Sequence, residues 1–452
     1  MESAASNNDL MVRVNNRQIL SIALPITLAI FIPQLNMLVN SIFLGHLSKE
    51  ALGNAGITGV YYLCFAVVGH GLNSALQSVF SKYAGAGKPE AFKTVMSQGF
   101  RIALLLALMA ILFTWFVSPL ILGSVAETSA FPEEMSFLRI RIFGLPFLYL
   151  FQIGNAFLIS TLNSRYLIIG FVFEAGVNIL LDYMLIFGHW GLPAMGFNGA
   201  ALASVIAEAV GMIVVFSVIG ITGLRRNYGL LKTFAYDRGT HREILKVAIP
   251  LILQFLISCS TWFVFYLLIE SKGAMAKAVS NTMRNVFGLA GVFIWAFAGT
   301  SNTMVSNLIG QGKEKIVLLA VRKISMWSFG LCLLMVVLLN IFPETFFQLF
   351  GQKEDFMHTG VAVIRVVSMA MLLMSVSNIW LNAVTGTGNT RVNLMIEIVA
   401  ISLYLIYTLY FMKLHYISLA MAWSNELVYW SVILFFALGF MLSGKWKKRK
   451  RG

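Results

Sequence analysis

The stretch RQILSIALPITLAIFIPQLNMLVNSIFLGHLSK, Arg17 to Lys49, contains no Asp, Glu, Lys or Arg between its two end residues. It is longer than the ~20 apolar residues that carry a helix across a bilayer. Within hydrocarbon the backbone must satisfy its own hydrogen bonds, as a helix or as a closed barrel, and the short alternating segments of a barrel are missing here. A membrane-spanning helix is therefore predicted. It carries two prolines, Pro25 and Pro33, and an amide among aliphatic neighbours, Asn40.

Similar runs recur along the chain, at about 19 to 44, 54 to 81, 93 to 118, 136 to 161, 166 to 187, 197 to 222, 244 to 269, 278 to 308, 316 to 341, 358 to 385, 392 to 412 and 416 to 442. The 452 residues are 58% hydrophobic and 12% charged, about half the charged share of a soluble domain. The fold class expected is an all-α polytopic membrane protein of twelve spans. The polar N-terminal stretch is followed by no short apolar segment with a small-residue cleavage site, so no cleaved signal peptide is expected. Cys64, Cys259 and Cys332 all fall in apolar spans, without metal or redox spacing, and read as packing residues.

The net charge of +14 does not point to nucleic acid. With both termini inside, Arg13, Arg17, Lys82, Lys88, Lys93, Arg165, Arg225, Arg226, Lys232, Arg238, Arg242, Lys246, Lys313, Lys315, Arg322, Lys323, Arg391 and the tail KWKKRKR are cytoplasmic. Only Lys49, Lys272, Lys277, Lys353 and Lys413 then lie outside. That asymmetry predicts cytoplasmic termini in a cell (inner or plasma) membrane.

The sequence also echoes itself. RQILSIALP (Arg17 to Pro25) returns as REILKVAIP (Arg242 to Pro250), and SKYAGAGK (Ser81 to Lys88) as SNLIGQGK (Ser306 to Lys313), both at an offset of 225. LNSR, ending at Arg165, returns as GNTR, ending at Arg391, at an offset of 226. Six spans per repeat is an even number, so the repeats are parallel: two six-helix bundles related by a pseudo-two-fold axis along the membrane normal. The partition expected is an N-lobe at 1–222, a cytoplasmic linker at 223–243 and a C-lobe at 244–452. The Gly-rich echoes read as tight helix ends, because AGAGK lacks the spacing and preceding strand of a phosphate loop.

These segments, together with NILLDYMLIFG, GFNGAALAS and the proline-bearing first span running into LVNSIFLGHLS, resemble the multidrug and toxic compound extrusion (MATE) family across nearly the whole chain. The resemblance implies a secondary efflux transporter. It would export cationic or amphiphilic small organic molecules in antiport with H+ or Na+ by alternating access, without other cofactors and as a monomer in the lipid bilayer.

A carboxylate inside an apolar span is costly and marks an ion pathway by default, which singles out Asp182. Asn178 lies four residues earlier on the same helix face, and Asn155 and Ser204 offer oxygens from neighbouring spans. The resemblance implies an N-lobe ion-coupling site at Asp182, Asn178, Asn155, Ser204 and Asn40, with Na+ held at Asp182 and Asn178 if sodium is the ion. Many family members have aspartate at the position of Asn40, so this chain carries a one-acid version of the site. Asn and Ser residues in spans also serve as interhelical glue. Pro25 and Pro33 are candidate hinges because each removes a backbone donor.

Glu208 and Glu426 are weaker candidates for a substrate cavity; Glu174 and Glu397 are candidate cavity acids too, the alternatives being a place near the cytoplasmic end of its span for Glu174 and snorkelling towards the cytoplasm for Glu397. Arg139, Arg141 and Arg365 read as interfacial, and Arg284 as needing a partner. The family's span-seven acid is replaced by Cys259. No protease, prenyltransferase or nucleotide-binding motif is present, so an enzyme or an ATP-driven pump is not expected. The alternative is a flippase for lipid-linked oligosaccharide or another lipid.

Overall fold

The computed structural model describes residues 10–123, 130–230, 232, 235–270, 272–349, 354–414 and 418–447. Lys353 and the tail beyond Lys447, both used above to orient the chain, lie outside them. Among the described residues there is no strand, and twelve helices are long and apolar enough to cross a membrane. They are α1 (Asn16–Leu47), α2 (Gly53–Gly85), α3 (Pro89–Phe116), α4 (Phe131–Ser160), α5 (Ser164–Phe187), α6 (Phe197–Ile221), α7 (Arg238–Ile269), α8 (Met275–Gly310), α9 (Glu314–Ile341), α10 (Phe356–Gly386), α11 (Thr390–Phe411) and α12 (Leu419–Leu442). All twelve expected spans are present; several begin or end a few residues away because helices continue past the apolar window.

The repeated Gly-rich segments end helices in the same way. Gly87 (φ 66°) follows α2 and Gly312 (φ 75°) follows α8, both left-handed. In each case the next amide reaches back five residues, Lys88 N–H to the Tyr83 carbonyl (3.0 Å) and Lys313 N–H to the Leu308 carbonyl (2.9 Å). That closure satisfies carbonyls a helix end would otherwise leave open. The third echo also ends α4 and α10 on left-handed residues, and Asn163 N–H reaches back to the Leu158 carbonyl (2.8 Å), but there Gly388 (φ 75°) is matched by Leu162 (φ 60°), a branched side chain in a backbone region that favours glycine.

Packing groups the chain into two compact units: residues 1–10 with 28–252, and residues 11–27 with 253–452. The expected repeat boundary lies elsewhere, in the linker at 223–243. Helices α1 and α7 each change unit two residues after their repeated proline, α1 after Thr27 and α7 after Ile252. Hydrogen bonds explain why. In the second unit, Val12 N–H donates to Asn307 Oδ1 (3.1 Å), Gln311 Nε2 donates to the Val12 carbonyl (3.1 Å), and Lys323 Nζ donates to the Val14 carbonyl (3.4 Å).

In the first unit, Lys82 pairs with Glu243 (2.7 Å), Tyr83 Oη donates to Glu243 (2.8 Å), and Gln98 Nε2 donates to the Ala235 carbonyl (2.8 Å). Lys82 and Asn307, like Gln98 and Lys323, are repeat partners at the offset of 225. Equivalent positions thus hold the lead-in of the other repeat's first helix, with different chemistry. The start of α7 is further fixed by Asp237. Hydrogen bonds from the Thr240 side chain and N–H hold its carboxyl below the usual carboxylate range.

The left-handed ends differ in what they tolerate. Replacing Gly388 by Leu is expected to cost about 1 kcal/mol in that conformation, whereas Leu162→Gly should leave the thermal midpoint unchanged or raised. Unfolding of both variants in detergent checks this.

Candidate functional site

Within the first unit, α5 carries Glu174, Asn178 and Asp182 at successive four-residue steps, one face of the helix. Asn178 and Asp182 are both buried, at 3% and 0% exposure. Asn178 Nδ2 donates to Ser204 Oγ of α6 at the long distance of 3.5 Å. Its Oδ1 accepts from Asn36 Nδ2 of α1 at 2.7 Å. The amide that reaches Asn178 is therefore Asn36, one turn before the expected Asn40. Sequence reading passed over Asn36, although its position on the same face of the same polar turn was the available signal.

The remaining expected members keep open oxygens. Both carboxylate oxygens of Asp182 are buried without a hydrogen-bond partner, as are Oδ1 of Asn40 and Oδ1 of Asn155. The structure joins Asn36, Asn178 and Ser204 by hydrogen bonds and joins neither Asn40 nor Asn155 to them. Oxygens without donors are what a hard cation or a proton seeks. Among the described residues no group of three His, Cys, Asp or Glu forms a metal cluster. A sodium ion here would depend on Asp182 and neutral oxygens, and Asn178 Oδ1 is already shared with Asn36.

A second constellation in the same unit corrects two readings. Arg141, expected at the interface, turns inward and forms a two-pronged pair with Glu208 of α6, Nη1 to Oε2 at 2.8 Å and Nη2 to Oε1 at 2.6 Å. Its guanidinium lies 3.6 Å from the Tyr62 ring centroid, and Tyr62 Oη donates to Glu208 at 2.9 Å. The reason is local. Helix α4 tightens to a 3-10 turn at Ile142–Gly144, and a Cβ on Gly144 would come within 2.0 Å of Glu208 Oε2 and 2.5 Å of Arg141 Nη1. Arg139, two residues earlier, points the other way and stands exposed over Trp115, as expected of an interfacial arginine. Glu208, expected as a cavity acid, has both oxygens engaged by Arg141 and Tyr62. Glu174 packs against Gly211, with Oε2 buried and unpartnered.

In the second unit, Glu397 does not snorkel. It is 1% exposed and accepts from Tyr429 Oη (2.6 Å) and Gln254 Nε2 (3.3 Å). The separation of Gln254, Glu397 and Tyr429 in sequence hid this contact. Glu426 accepts from the indoles of Trp262 and Trp430, each at 3.2 Å, and from Tyr404 Oη at 3.5 Å. Arg284 finds the Tyr266 ring, 5.8 Å away.

Two segments of the chain, residues 25–184 and 250–411, match the family model MatE, and both begin at a repeated proline. The chain belongs to the MatE family. MatE proteins are transporters rather than enzymes, and this one is a multi-pass membrane protein. It is 23% identical over 443 residues to "Probable multidrug resistance protein NorM" of Thermotoga maritima, covering 96% of this chain and 93% of that protein. Its fold matches a structure described as the outward-facing conformation of a multidrug resistance MATE family transporter of the MOP superfamily (TM-score 0.88, 18% identity, 99% of this chain, 100% of that one). It equally matches a MOP superfamily transporter from Pyrococcus furiosus, described as having a binding pocket of reverse polarity (TM-score 0.87, 18% identity, 99% and 98%).

The Arg141–Glu208 pair invites a double-mutant test. Arg141→Met alone leaves Glu208 buried without its cation and is expected to cost about 3–5 kcal/mol, whereas Arg141→Met combined with Glu208→Leu should recover most of it. Unfolding midpoints of the three proteins give the comparison.

Proposed function

We propose that this MatE protein exports cationic or amphiphilic organic molecules in antiport with H+ or Na+ by alternating access, and that Asp182 is the coupling carboxylate. One observation carries the proposal: both Asp182 oxygens are buried with no donor, beside a chain of amides that ties α5 to α1. A carboxylate left without donors in an apolar span is a standing cost that an entering cation or proton removes. The multidrug description of its relatives supports the substrate class.

Coupling to movement follows from the backbone. Pro25 and Pro33 supply no N–H to the carbonyls of Ser21 and Ala29, so α1 bends at those turns with fewer hydrogen bonds to break. Asn36, which grips Asn178, sits within one turn beyond Pro33. Filling or emptying the Asp182 site is thereby felt by the part of α1 that lies past the bend. The concentration of Lys and Arg in the segments between spans assigned to the inside supports cytoplasmic termini in the cell membrane, and we read the protein as a monomer with the coupling ion as its inorganic partner.

Substrate efflux from proteoliposomes, with the sodium and pH gradients imposed separately, tests this. Asp182→Asn is expected to abolish gradient-driven efflux while the protein remains folded; undiminished coupled transport would sink the assignment. Asn36→Leu should weaken coupling more than Asn40→Leu, because only Asn36 bonds to Asn178.

A further inference from the structure

The replacement of the family's span-seven acid by Cys259 left the second half without an expected coupling group, yet two acids from other helices are buried there. Glu397 of α11 and Glu426 of α12 are 1% and 4% exposed. Their neighbours are neutral donors: Tyr429 of α12 with Gln254 and Ser258 of α7 around Glu397, and Trp262 of α7, Trp430 of α12 and Tyr404 of α11 around Glu426. Adjacent residues of α12 serve the two acids, Tyr429 donating to Glu397 (2.6 Å) and Trp430 to Glu426 (3.2 Å). Arg365 of α10 is exposed, and Arg284 of α8 stands over the Tyr266 ring. Among the described residues, neither glutamate has an ion-pair partner.

Position matters as much as charge. Gln254 lies one turn beyond Pro250, where α7 lacks the hydrogen bond to the Lys246 carbonyl. Ser258, one turn further, is 3.4 Å from Tyr429 Oη. Glu397 therefore fastens α7 to α11 and α12 just past the repeated proline. In the first unit, Asn178 fastens α1 to α5 just past Pro33.

We propose that Glu397 is a proton-binding site of the second half, and that protonation there releases α7 beyond Pro250. The step is simple. A proton forms an O–H bond on one carboxylate oxygen, the charge disappears, and that oxygen gains a hydrogen to donate. The bonds from Gln254 and Tyr429, charge-assisted while the carboxylate is ionised, become neutral ones of roughly half the strength or reverse direction, and the hold on α7 weakens. A proton needs no cavity, which suits a carboxylate this enclosed. The proposal rests on the antiport reading for its role in transport, but not for the binding of the proton.

Infrared difference spectra of the purified full-length protein during a pH titration read protonated carboxyl directly. Wild type is expected to show a carboxylic acid band that Glu397→Gln loses, and Tyr429→Phe should keep the band but move its midpoint; a spectrum unchanged by Glu397→Gln overturns the site. Alkylation of Cys259 in a Cys64→Ala, Cys332→Ala background reports α7. Divided at each pH by the rate for free cysteine, which removes the loss of thiolate, the Cys259 rate should rise several-fold as the pH is lowered and be high at every pH in Glu397→Gln; a pH-independent ratio with Glu397 intact overturns the release. A wild-type protein that shows both signals but no gradient-driven efflux would instead defeat the antiport reading and leave the proton site standing.

Discussion

A polar group in hydrocarbon has no water to fall back on, and nearly every feature of this chain follows from where its polar groups find partners. Helix ends close on themselves through left-handed residues. The lead-ins to α1 and α7 are held by side chains from the opposite repeat. Arg141 and Glu208 neutralise each other, with Tyr62 covering both. Asn40, Asn155 and Glu174 each keep one open oxygen as well, but Asp182 keeps both of its carboxylate oxygens open, which marks it as chemistry rather than architecture.

The two halves solve one problem with different residues. Each has a first helix weakened by a repeated proline and fastened, shortly beyond a proline, to a polar group on its fifth helix. In the first half the fastening is amide to amide, Asn36 to Asn178, with the carboxylate one turn away. In the second the carboxylate itself is the fastening, Glu397 held by Gln254 and Tyr429. An amide pair is indifferent to pH, whereas a carboxylate contact is not, so the first half keeps its fastening apart from its carboxylate and the second makes them one group.

The spans, the repeat and the Asp182–Asn178 face were legible because they depend on local runs, fixed offsets and the four-residue step. Asn36 escaped because Asn36 and Asn40 share a helix face, and which one meets Asn178 depends on the relative height of two helices, which no single segment encodes. Arg141 was misread because its closeness to a span end suggested water; the 3-10 turn and the missing Cβ of Gly144 that admit it to the interior are visible only once α4 and α6 are packed. Glu397 was hidden for a similar reason, its donors lying 143 and 32 residues away in sequence. The grip on the lead-in segments was obscured by its own chemistry, since Lys82 and Asn307, or Gln98 and Lys323, do not look like repeats.

The exchange of helix starts between units also bears on how the protein is made. Residues 11–27 leave the ribosome long before their packing partners, residues 253 onward. The first unit in turn is incomplete until the chain has passed Ile252. Neither repeat can finish alone, so the opening segment of α1 waits in the membrane through the synthesis of half the protein. Its apolar part, Gln18 to Thr27, carries no charge and needs no partner in hydrocarbon during that wait beyond its own helical hydrogen bonds.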